Sequence, residues 1–69
     1  MVVTMPKYDG DFHDGGNILY LGRSSFGLEF HVLDHTEVIP SNQKDSRLGR
    51  FHVELIESSD EEVVLDFKR

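Results

Sequence analysis

From residue 51 onward the apolar positions of this chain fall on every second residue. Phe51, Val53 and Leu55 alternate with His52 and Glu54. After the polar stretch 57–62 come Val63, Leu65 and Phe67 at the same spacing. Successive side chains of a strand point to opposite faces, so a period of two marks a half-buried strand, and the two runs together predict a β-hairpin. Phe26, Leu28, Phe30 and Val32 repeat the pattern. With Ile18–Leu21 ahead of them they predict a second hairpin over 17–21 and 26–33, joined by Gly22-Arg23-Ser24-Ser25. Val2–Met5 before Pro6 and Val38–Ile39 before Pro40 predict two short strands that proline stops or holds at a sheet edge.

The stretches between these runs read as turns and loops. Residues 7–16 hold three glycines and three aspartates in ten positions; glycine permits positive φ and aspartate bonds back to nearby amides. Asp34-His35-Thr36-Glu37 reads as a turn. Residues 41–49 are polar without a clear period and read as the longest and most mobile loop.

Register follows from pairing like with like. In the first hairpin, Leu21 opposite Phe26 sets Leu19 against Leu28 and Tyr20 against Gly27. A three-residue connection, with Tyr20 against Leu28, is nearly as good. In the second, Leu55 opposite Val63 sets Val53 against Leu65, Phe51 against Phe67 and His52 against Asp66. This register avoids facing Glu54 with Asp66 or Glu62, and like charges directly opposite are destabilising. A short C-terminal helix is the rival for the last segment: Ser59-Asp60-Glu61-Glu62 fits a capping box, and Lys68-Arg69 suits a helix C-terminus. The short length and the adjacent Val63-Val64 favour strand.

The expected architecture is therefore all-β. It is one small domain over 1–69, with five or six short strands in a curved sheet or partly closed, SH3-like barrel. The barrel rests on strand count and turn spacing. The expected core is Leu19, Leu21, Phe26, Leu28, Phe30, Val32, Val38, Phe51, Val53, Leu55, Val63, Leu65 and Phe67.

Composition narrows what such a domain does. The 69 residues contain no cysteine, so neither a disulfide nor a thiolate metal site supports the fold, and a reducing, cytoplasmic setting is expected. A core this small leaves only about 3–5 kcal/mol of net stability. A second copy covering exposed edges near Val2–Met5 or Val38–Ile39 is thus the expected oligomeric state, a dimer. Thirteen acidic against seven basic residues give a net charge of −6, a field that repels phosphate backbones. No apolar run reaches membrane-spanning length, and the first residues lack the charge and length of a signal peptide.

Four groups of residues carry candidate chemistry. Glu54, Glu57, Asp60, Glu61, Glu62 and Asp66 place six of the thirteen acids in thirteen positions. Glu57, Asp60, Glu61 and Glu62 at the hairpin tip form the leading site, a docking surface for a basic protein partner. The plainer role of such a tip is to keep the molecule soluble and its edges unpaired. Lys44, Arg47 and Arg50 gather three of the seven cations in a polar loop and are the alternative site, for phosphate or nucleic acid. Asp9, Asp11 and His13 resemble the start of a divalent-metal loop. Asp14 stands where an EF-hand needs glycine and Tyr20 where it needs glutamate, so that motif fails. His13, His31, His35 and His52 have no metal-ligand spacing. No nucleophile elbow, P-loop or dinucleotide fingerprint occurs. The expectation is a non-enzymatic interaction module, an accessory subunit or inhibitor, needing no cofactor.

Overall fold

A computed structural model describes residues 1–9 and 18–68. Seven strands are present: β1 (Val2–Pro6), β2 (Ile18–Ser24), β3 (Gly27–Val32), β4 (His35–Ile39), β5 (Asp45–Leu48), β6 (Phe51–Ser58) and β7 (Glu62–Lys68). They form two antiparallel sheets, a four-stranded one in the order β1-β7-β6-β5 and a three-stranded one in the order β2-β3-β4. The all-β expectation holds, and the tail is strand rather than helix. The sheets do not close into a barrel.

The β2–β3 hairpin differs from the expected register. Its turn is only Ser25-Phe26, between the paired Ser24 and Gly27. A bulge between Tyr20 and Gly22 then shifts the pairing, so Tyr20 faces Phe30. The bulge reverses which residues of β2 face inward. Tyr20 is buried against Phe30, with ring centroids 5.2 Å apart, while Leu19 and Leu21 stay partly exposed. The Tyr20 hydroxyl donates to Ser59 O at 2.8 Å, which meets the requirement that a buried tyrosine find a partner. Burial raises the Tyr20 pKa.

Two other segments were read as turn and loop but are strands. β4 begins at His35 because the turn is Leu33-Asp34, with Leu33 itself at φ +58°. β5 lies inside the polar stretch 41–49 and pairs with β6 through Asp45–Glu54, Ser46–Val53, Arg47–His52 and Leu48–Phe51. Its single apolar residue, Leu48, is completely buried. One apolar side chain in four shows no period, so sequence pattern could not reveal this strand.

The β6–β7 hairpin is also shifted by two residues. Leu55 faces Leu65, Val53 faces Phe67, and Glu54 faces Asp66. The expected pairing would have left 56–62 as a loop. Instead a bulge at Ile56 and a two-residue turn at Asp60-Glu61 let Glu57 and Ser58 pair with Val64 and Val63. The added pairs outweigh one like-charge contact, which is itself neutralised. Lys68 Nζ lies 2.7 Å from Glu54 Oε1 and 3.9 Å from Asp66 Oδ2, and the Met1 ammonium lies 2.9 Å from Asp66 Oδ1. The Lys68 hydrogen bond lowers the Glu54 pKa, and the ammonium hydrogen bond lowers that of Asp66.

The core between the sheets is Tyr20, Leu28, Phe30, Val32, Ile39, Leu48, Val53, Val63 and Leu65, with Met5, Ile18, Leu55 and Phe67 packed at its margin. Phe26, Val38 and Phe51 were expected inside but are exposed, Phe26 by 77%. Phe26 occupies the β2–β3 turn, Val38 lies on the outer face of β4, and Phe51 opens β6 beside Phe67. Along one seam, Lys7 bridges to Tyr20 and Tyr8 N donates to Tyr20 O at 2.7 Å. Along the other, Gly49 N donates to Glu37 Oε1 at 2.8 Å. No helix among the described residues is long and apolar enough to cross a membrane.

Candidate docking surface

The leading site residues come together at one end of the molecule. Ser59 builds the β6–β7 tip: its N donates to Glu62 O at 2.9 Å, and its Oγ accepts from the amides of Glu61 and Glu62 at 3.2 and 3.1 Å. Serine suits this turn because its hydroxyl satisfies amides the ladder leaves over. The three-stranded sheet holds the tip in place. Tyr20 Oη reaches Ser59 O, and Arg23 Nη2 lies 3.4 Å from Ser58 O and 3.3 Å from Ser58 Oγ. Lys7 N donates to Glu61 O at 2.7 Å. Backbone groups, the Ser59 and Tyr20 hydroxyls and the Arg23 guanidinium thus fix the tip, and none of its four carboxylates is needed for these bonds. Glu57, Asp60, Glu61 and Glu62 project from it exposed. Their one cationic contact among the described ion pairs is Arg23 Nε to Asp60 Oδ1, at 3.9 Å.

Apolar surface adjoins these acids. Gly27 packs on the backbone of Ile39 and Pro40, which brings the Phe26 turn to this end. The next residues, 41–44, form a shallow groove of about 270 Å³ with Leu55–Ser58. Ile56 sits at this groove and is 48% exposed. A bulge re-aims the side chain it carries, and here it turns Ile56 out of the strand's alternation. Sequence pattern missed both features. Phe26 fitted the alternation of β3, and Ile56 carries no signal of a bulge.

The three cations of the alternative site are not gathered. Lys44 lies beside Leu55 at the tip end, where its O accepts Leu55 N at 2.7 Å. Arg47 is within β5, and Arg50 is in the turn beyond it. Arg47 instead belongs to a row across three strands, Arg47–His52–Lys68. The adjacent row is Asp45–Glu54–Asp66. Each cation therefore has carboxylates one row away, and Lys68 is committed to Glu54 at 2.7 Å. His52 faces Lys68 rather than the expected Asp66. From Arg50 to Glu57 along β6 is roughly 20 Å. That exceeds the screening length of about 8 Å at physiological salt, so the charge of Arg50 is screened from the acidic tip.

Edges expected to be bare are guarded. β4 turns Glu37 and His35 toward the inner side, opposite Phe30 and Val32, and inward charges discourage strand addition. Gln43 Nε2 caps Asp45 O at 2.8 Å on the edge of β5. Pro6 closes the paired part of β1.

Of the metal candidate only Asp9 falls within the described residues; Asp11, His13 and Asp14 lie outside them. No group of three or more His, Cys, Asp or Glu side chains placed to hold a metal ion occurs among the described residues. The chain matches no family model, no curated protein and no solved structure.

Proposed function

We propose that this protein is a non-enzymatic interaction module, an accessory subunit or inhibitor, that docks a basic protein partner through its acidic tip. One observation carries the reading. Four exposed carboxylates share a turn held by hydrogen bonds, and among the described ion pairs they engage a cation only once, Arg23 with Asp60 at 3.9 Å. Exposed Phe26 and Ile56 flank the 39–44 segment beside them. Apolar anchors with a charged rim are what interfaces use: the apolar groups supply binding energy and the rim charges supply association rate and partner choice. Binding of phosphate or nucleic acid through Lys44, Arg47 and Arg50 has less support, because the three do not converge.

The test compares proteins captured from the native host, identified by mass spectrometry, on two variants. One is Glu57→Gln, Asp60→Asn, Glu61→Gln and Glu62→Gln together; the other is Lys44→Gln, Arg47→Gln and Arg50→Gln together. The partner is expected on the wild type and the cation variant and depleted on the acid variant. Its association rate should drop tenfold or more in the acid variant and decline with added salt. The fold should survive, since the tip bonds use backbone, Ser59 and Tyr20. An association rate equal to wild type in the acid variant rejects the reading.

A further inference from the structure

We propose that Asp34, His35, Glu37 and the Gly49 amide form a proton-operated clasp between the two sheets, closed while His35 is an imidazolium and Glu37 a carboxylate. His35 stands between two carboxylates. Its Nε2 lies 2.6 Å from Glu37 Oε2 and its Nδ1 lies 3.2 Å from Asp34 Oδ1. The second oxygen of Glu37 crosses the seam and accepts the Gly49 amide at 2.8 Å. Gly49 belongs to the β5–β6 turn and sits at φ +60°. The series thus runs from the β3–β4 turn, through β4, to the turn of the other sheet.

Only the imidazolium completes this arrangement. It donates from both ring nitrogens, whereas neutral imidazole has one donor and one lone pair. A neutral ring would therefore turn a lone pair toward one of the two carboxylates, and that contact is lost or repulsive. Other elements contribute little. His31 on β3 acts on Asp34, and the β5–β6 turn contributes the Gly49 amide. The hydrogen bonds to Glu37 and then to Asp34 raise the His35 pKa above 6.5, and those from the Gly49 amide and then His35 hold Glu37 below 4.5.

The two signs define a window. A raised cationic pKa gives stability that is complete below the unfolded value of 6.5 and is lost as pH rises through the folded value. A lowered carboxylate pKa gives stability complete above 4.5 and lost as pH falls through its folded value. The clasp is closed between these limits and loosens on either side.

Amide exchange by NMR, corrected for intrinsic rates, tests this from pH 4 to 9. Gly49 protection should fall about fivefold as His35 titrates, because Glu37 loses the charge-assisted bond from the imidazolium that holds its carboxylate against the Gly49 amide. Amides of Val53 and Leu65, in the central strands, should not follow it. His35→Gln cannot titrate and should remove the step at Gly49 while leaving those core amides protected. Asp34→Asn should move the step to lower pH and shrink it, because the new amide can donate to the lone pair of a neutral His35 ring. A Gly49 profile that stays flat while the His35 ring titrates overturns the proposal. So does an equal step in His35→Gln, or one shared by Val53 and Leu65.

Discussion

Replacing Gly27 with alanine is expected to abolish most of the folded population at room temperature. Gly27 sits at φ +134°, and a β-carbon there would overlap the Ile39 carbonyl oxygen and lie 3.0 Å from Pro40 Cα. Both neighbours are backbone, so no side chain can swing aside. The conformation is one that residues with a β-carbon avoid, at about 1–3 kcal/mol, and overpacking adds about 1–3. A domain of this size holds about 3–5 kcal/mol in total. Urea titration by circular dichroism should show the transition lost or moved close to zero denaturant. Gly49→Ala is the contrast. Its φ of +60° is one that other residues visit, and its nearest neighbour is the Val32 side chain at 3.2 Å. It should cost about 1–2 kcal/mol and leave a measurable transition. Equal losses in the two variants would mean that the packing of Gly27 on Ile39–Pro40 is not what holds that end together.

Alternation revealed the strands that put two or three residues into the core or at its margin. Phe30 and Val32 on β3, Val53 on β6, and Val63 and Leu65 on β7 were legible because each faces the core at a spacing of two. What stayed hidden were departures from that spacing. A bulge after Tyr20 moved a tyrosine into the core and left Leu19 and Leu21 at its margin. Another, at Ile56, let Glu57 and Ser58 join a strand that composition marked as loop. Both are single-residue insertions, and a one-residue slip changes the face of everything beyond it. Ser59 shows why a helix was the rival for the tail. Its Oγ accepts Glu62 N at 3.1 Å, the bond a helix N-cap makes, and here the same bond closes a hairpin turn. The capping chemistry is there, and the chain beyond it forms the strand that Val63-Val64 favoured.

The clustering of the acids was legible for a different reason: exposed charges in one turn remain close whatever register the strands adopt. The basic residues were not, because their proximity in sequence spans a strand. β5 carries Arg47 onto a sheet face and separates Lys44 from Arg50. The clasp had no signal at all. It joins residues 34–37 to residue 49 across the seam between the sheets, and nothing in the pattern brings those two segments together.

Leu48→Ala measures how far the fold depends on the strand that pattern could not reveal. Leu48 is completely buried, the one buried side chain of β5. If residues 45–48 were a surface loop, removing three carbons there would change stability by no more than about 0.5 kcal/mol. In the core the same change costs about 2–5 kcal/mol, from lost burial and the cavity left behind. That is comparable to the whole stability of a domain this small. The urea midpoint should therefore fall by half or more. Arg47→Ala, one residue away and exposed, should leave it nearly unchanged, because solvated pairs contribute about 0–1 kcal/mol. Near-equal midpoints for Leu48→Ala and wild type would remove β5 from the fold. The four-stranded sheet would then end at β6, and Lys44, Arg47 and Arg50 would again share a loop able to bring them together around phosphate.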